Sequence, residues 1–84
     1  MNPEDIQKLI EQGLPGARIR VMSDDNTHYS ALVVSDSFDG KRALARHQMV
    51  YQCLGDLVGG DIHALSIRAY TPDEYSDLES GDAG

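Results

Sequence analysis

The side chains in this sequence that could do chemistry are few: His28, His47, His63 and a single cysteine, Cys53. Neutral imidazole and thiolate are the common protein ligands of zinc and iron centres. Neither a CxxC nor an HxxxH spacing occurs, so the chain by itself is not expected to close a metal site. Cys53 falls in a helical stretch with no basic neighbour to favour its thiolate, and reads as core filling. His47 lies on the apolar stripe of that helix and reads as a buried, hydrogen-bonded histidine near the helix start. His63 has the parity of Leu65 and Ile67, where neutral imidazole is tolerated and a charge is costly. Gly13-Leu14-Pro15-Gly16 spells GxxG, a nucleic-acid-clamping pattern, but it contains no basic residue and stands between a helix and a strand. There is no phosphate-binding glycine loop, no GxSxG elbow and no Ser/His/Asp arrangement recoverable from spacing. The expectation is a binding protein, not an enzyme.

These groups are placed by a simple series of elements. Asn2 can cap a first helix, with Pro3 at its first position and Ile6, Leu9 and Ile10 as its apolar stripe. Residues 17–22 alternate, with Ala17, Ile19 and Val21 on one side and Arg18, Arg20 and Met22 on the other. The polar run 23–27 is a loop, and His28 to Ser35 is a second strand, joined to the first as a hairpin. A turn around Asp39-Gly40 leads to a helix from Ala43 to Val58. Its expected inner face is Leu44, His47, Val50, Tyr51, Leu54, Leu57 and Val58. After Gly59-Gly60, Ile62 to Tyr70 is a third strand, and Thr71-Pro72-Asp73-Glu74 is a capping box that starts a last helix. The order is α-β-β-α-β-α, or α-β-β-α-α-β-α if the middle helix breaks. A helical crossover between strands two and three favours a parallel pair. His28 and His63 open those two strands, so the topology brings both histidines to one end of the sheet.

Composition narrows the class. A chain of 84 residues is one domain with a thin core. One cysteine excludes an internal disulfide framework and suits a reducing compartment. The opening residues carry no signal-peptide pattern, and the longest aliphatic run, Ala31 to Val34, is far too short to span a bilayer. The expectation is therefore a soluble, cytoplasmic protein. The formal charge of −7 divides unevenly: −2 over residues 1–13, 0 over 14–70 and −5 over 71–84. The body is neutral, and nucleic-acid binding would require Arg18, Arg20, Lys41, Arg42, Arg46 and Arg68 to cluster.

Two blocks are specific when taken together. The first is Phe38-Asp39-Gly40-Lys41 with Arg46-His47-Gln48-Met49-Val50. The second is His63-Ala64-Leu65-Ser66-Ile67 with Thr71-Pro72-Asp73-Glu74. Together they resemble the BolA family over roughly residues 3–78, in its short-loop bacterial branch. The resemblance implies an α/β (α+β sandwich) fold like the type II KH domain, without its GxxG clamp: a three-stranded mixed sheet with helices on one face. The domain is expected over 1–78, and the composition of the last residues predicts a disordered acidic tail over 79–84. The resemblance further implies a monothiol glutaredoxin as partner and a [2Fe–2S] cluster shared with that glutaredoxin and glutathione, none being held by this chain alone. The metal ligands it points to here are His63 and, from the loop before strand two, His28. Some family members are described as DNA-binding transcriptional regulators. That reading would use Lys41, Arg42, Arg46 and Arg68, with weak DNA binding expected here. Gln48 stands where a basic residue is frequent and Tyr75 where tryptophan is frequent, and the first removes a positive charge. A homodimer in the absence of the partner is left open.

Overall fold

The computed structural model describes residues 2–58 and 64–82. Helix α1 (Pro3–Gly13) begins with proline and has Glu4 and Asp5 in its first turn, where they complement the helix dipole. Asn2 caps it with its backbone carbonyl instead of its side chain, accepting from the Asp5 and Ile6 N–H groups at 3.1 and 3.4 Å. Ile6 and Ile10 are wholly buried, and Leu14 turns in behind them.

Strands β1 (Arg18–Met22) and β2 (His28–Val34) form the expected antiparallel hairpin, and β3 (Ala64–Tyr70) lies parallel to β2 on its other side. The alternation is clean. Ile19, Val21, Tyr29, Ala31, Val33, Leu65, Ile67 and Ala69 pack into the core beneath α1 and helix α2 (Ala43–Leu54). Each of the fully buried aliphatic chains among them is worth about 1.5–3 kcal/mol. The opposite parity puts Arg18, Arg20, Met22, Ser30, Leu32, Ser66, Arg68 and Tyr70 on an open face. This is the mixed three-stranded sheet the sequence predicts. The third strand begins at Ala64; Gly59–His63, and with them the strand start expected at Ile62, lie outside the described residues.

Between β2 and α2, Ser35 caps a single 3-10 turn, Asp36–Phe38, by accepting from the Ser37 N–H at 3.1 Å. The turn drives Phe38, the chain's one phenylalanine, fully into the core. Gly40, at φ +74°, then reverses the chain in a conformation that favours glycine.

Helix α2 departs from its predicted face. Leu44 is 70% exposed and Tyr51 38%. The inner positions are Arg46, Met49, Val50, Cys53, Leu54 and, past the helix end, Leu57. Both sets satisfy a helical period; the packing partners choose between them. Cys53 faces Gly13 of α1 so closely that a Cβ added at Gly13 would collide with its Sγ. The half-buried Cys53 is the core filler its surroundings suggested. His47 is half-buried, and its side chain makes no hydrogen bond among the described residues; the adjacent Arg46 takes the position facing β3. Gly55, at φ +58°, ends α2, and a 3-10 turn, Gly55–Leu57, replaces its last expected turn.

Helix α3 (Pro72–Asp82) starts from a complete capping box: the Glu74 N–H donates to Thr71 Oγ1 at 3.2 Å, and the Thr71 N–H donates to Glu74 Oε1 at 3.0 Å. The helix is described as far as Asp82. While α1 and α2 share the covered face, α3 reaches round the sheet, with its Tyr75 ring 6.2 Å from that of Tyr70.

Candidate functional site

The end of the sheet where β2 begins is organised by one carboxylate. Asp25 Oδ1 accepts the backbone N–H groups of Thr27 and His28, each at 2.9 Å, and the Ser23 hydroxyl at 3.3 Å. Ser23 Oγ in turn accepts the Asn26 N–H at 2.9 Å. Asn26 adopts φ +56°, a conformation asparagine tolerates better than most residues, and its carbonyl accepts the Tyr29 hydroxyl at 2.7 Å. The loop is thus a fixed turn with its last residue, His28, delivered to the first position of β2. There His28 Nδ1 lies 2.9 Å from Asp25 Oδ2. The His28 backbone N–H, then its imidazole and the Thr27 N–H, hold the Asp25 carboxyl well below the usual carboxylate range.

In the sheet register His28 is paired with Ala64, the first residue of β3. The imidazole is 73% exposed and borders a groove lined by Met22, Asp24, Ser30, Ala64 and Ser66. The parallel pairing therefore puts the opening ends of β2 and β3 side by side, as the topology argument requires. His63, one residue ahead of Ala64, lies outside the described residues. Among the described residues no group of three or more His, Cys, Asp or Glu side chains is arranged to hold a metal ion. Burial pushes the Cys53 thiol up, and its Sγ donates to the Met49 carbonyl at 3.3 Å, which sets it apart from any ligand role.

The four cationic candidates separate. Lys41 and Arg42 are exposed just ahead of α2. Arg46 is not a free cation: it donates to Glu74 at 2.6 and 3.1 Å, to the Ala69 carbonyl at 3.0 Å and to the Lys41 carbonyl at 2.8 Å. Its guanidinium carbon also sits 5.8 Å from the centroid of the Phe38 ring. This group ties α2, β3 and α3 together. Its carboxylate, Glu74, is held down to about 2, chiefly by the Arg46 hydrogen bonds and then by the Thr71 N–H. Arg68 belongs to the open sheet face, where it and Arg20 flank Leu32, with Arg18 two residues along β1. Arg18, Arg20 and Arg68 are exposed and make no ion pair among the described residues. The cations thus form two separate sets, and the larger one includes Arg18 and Arg20 in place of Arg46. Sequence reasoning also passed over Asp25; the signal available was its position three residues before His28, in a Ser-x-Asp-x-Thr run ahead of a strand.

Taken together, these features define a small α+β domain whose candidate groups sit at a strand end and on an open sheet face. The BolA-like protein family model matches residues 11–74, and the chain belongs to that family. A BolA protein homologue from Coxiella burnetii is 43% identical, with a TM-score of 0.81 over 90% of this chain and 97% of that one. Yeast Fra2 is 26% identical with a TM-score of 0.75, covering 100% of this chain and 94% of that one. The Escherichia coli protein named DNA-binding transcriptional regulator BolA is 36% identical over 62 residues, which is 74% of this chain and 59% of that protein. The present chain therefore spans less than two thirds of that relative's length.

Proposed function

We propose that this protein is a cytoplasmic BolA-like adaptor that binds a monothiol glutaredoxin and shares a [2Fe–2S] cluster with it, in cluster trafficking or iron sensing. The observation that supports this reading is the pairing of His28 with Ala64 at one end of the sheet, with His28 Nδ1 already engaged by Asp25. His63 directly precedes Ala64 in the sequence. The donors this chain would offer are imidazoles, and Cys53 Sγ donates to the Met49 carbonyl, which suits a centre whose thiolates come from a partner. His63 and His28 are the residues that would hold the cluster, with thiolates supplied by glutaredoxin and glutathione. Imidazole in place of thiolate raises a cluster's potential and makes its retention sensitive to protons, which suits transfer or sensing.

The test is to mix the protein with glutathione-loaded glutaredoxin cluster and record visible circular dichroism. His63→Ala is expected to abolish or sharply weaken the shared-cluster spectrum with the far-UV signal unchanged, and His28→Ala to do so less completely. A His63→Ala complex with wild-type cluster spectra and stability would refute the assignment.

A second reading is favoured by one observation, the three arginines on the open sheet face that make no ion pair among the described residues, and agrees with the name of the E. coli relative. Single-stranded nucleic acid neutralised by Arg18, Arg20 and Arg68 would show a log–log salt slope of about −2, falling by about 0.7 with each arginine removed. Binding that is insensitive to Arg20→Ala and Arg68→Ala, but lost with Lys41→Ala and Arg42→Ala, would move the surface back to the start of α2.

A further inference from the structure

The two oxygens of Asp25 do different work. Oδ1 builds the turn by accepting the Thr27 and His28 N–H groups, whereas Oδ2 is given to the His28 ring at 2.9 Å. The turn would be complete with one oxygen. An ionised carboxylate can only accept, so the hydrogen in the Oδ2 contact is carried by Nδ1. A neutral imidazole with its proton on Nδ1 has its lone pair on Nε2. Asp25 therefore settles three things for a ring that is otherwise largely exposed: its rotation, its tautomer, and which nitrogen is offered outward. The backbone is equally restrained, since His28 N–H is bound to the same carboxylate and the Tyr29 hydroxyl closes on Asn26.

We propose that Asp25 is a positioning residue that presents His28 Nε2, in the Nδ1–H tautomer, as a ligand atom for a metal centre brought by the partner. This rests on the shared-cluster reading above. Metal-ligating histidines generally donate their other ring N–H to a carboxylate, carbonyl or water, and loss of such a partner lowers metal affinity by about 10–100-fold. Here that partner is in place three residues away in sequence, so the orientation is set before any partner protein arrives.

Asp25→Asn separates this role from turn-building. Asparagine keeps an Oδ1 that accepts the two backbone N–H groups and turns an NH₂ donor toward Nδ1, which must then accept and pass its proton to Nε2. The first measurement is a long-range ¹H–¹⁵N correlation of the His28 ring in the isolated protein, followed up the pH scale until the ring signals stop moving. The wild type is expected in the Nδ1–H tautomer and Asp25→Asn in the Nε2–H tautomer, with the amide spectrum otherwise preserved. A wild-type ring in the Nε2–H form overturns the proposal whatever the cluster does. The second measurement titrates each protein with glutathione-loaded glutaredoxin cluster, and Asp25→Asn is expected to weaken formation of the shared centre by about 10–100-fold. Equal affinity for the two proteins overturns the positioning role and leaves the shared-cluster reading standing. No cluster in the wild-type complex overturns both. Asp25→Ser, whose hydroxyl accepts backbone N–H groups in similar turns, is the second variant should the asparagine fail to fold. It is expected to leave the ring in a mixture of tautomers, with affinity between the other two, and a pure Nδ1–H ring in that variant overturns the proposal.

Discussion

Replacing Arg46 by lysine or alanine distinguishes a structural lock from a phosphate contact. If this arginine served an anionic partner, lysine would keep most of its value, because a phosphate contact needs mainly charge. As the structure has it, the fork matters: four hydrogen bonds converge on one guanidinium whose side chain is only 12% exposed. Lysine cannot reach Glu74, Ala69 and Lys41 together. The part-buried Ala69 carbonyl left without its donor costs about 1–3 kcal/mol. Alanine also removes the part-buried side chain whose guanidinium lies over Phe38, a further loss of about 1–2 kcal/mol. Arg46→Ala should therefore lose about 2–5 kcal/mol and Arg46→Lys about 1–3 kcal/mol. An 84-residue domain has roughly 4–12 kcal/mol in total, so the alanine variant forfeits a large share of it. At about 4–8 °C per kcal/mol, the melting temperature should fall by at least about 8 °C for alanine. The assay is urea unfolding at neutral pH followed by circular dichroism, with the slope of the transition checked for constancy. Arg46→Lys within about 0.5 kcal/mol of wild type would refute the lock, since that is the range of an unconstrained surface substitution.

The same lock predicts an acid limit. Glu74 has a folded-state pKa of about 2 against an ordinary 4.5, so its contribution is complete above pH 4.5 and is lost as pH falls toward 2. Urea midpoints across that window should fall for the wild type more steeply than for Glu74→Gln, and parallel curves would contradict this. At the α1–α2 crossing, Gly13→Ala should destabilise by overpacking, about 1–3 kcal/mol, despite a gain in helix propensity of up to about 1 kcal/mol. Removing the thiol with Cys53→Ala should relieve part of that cost, because its Cβ would still be 3.1 Å from the new methyl group. Additive effects in this double-mutant cycle would show that the helices separate freely.

The alternation of β1, β2 and β3, the Thr71–Glu74 capping box and the family blocks follow from neighbours a few residues apart, and the length of the helical connection carries the parallel crossover. Asp25 was within the same reach, three residues before His28, but its side chain has two oxygens and only the folded turn shows which one meets the ring. The failures are of another kind. In α2, two helical stripes overlap in the sequence; Cys53 was legible as core filling, but that Leu44 and Tyr51 face outward depends on the packing against α1, where Cys53 meets the bare backbone of Gly13, 40 positions earlier. Phe38 sits in a segment with every mark of a turn, and only the closure of the core around it makes it interior.

The cations show the division most clearly. The sequence by itself determined that the body would be neutral and that its six basic groups were candidates for an anionic surface. Which of them remain available was decided by tertiary structure alone. Arg46 is claimed by Glu74, 28 residues away, and Arg68 is put beside Arg20 by a sheet register that spans the chain. Periodicity and capping are properties of a short segment and survive in the linear pattern. The pairing of a charge, the rotation of a helix and the face a side chain shares are settled by which distant surfaces exclude water together.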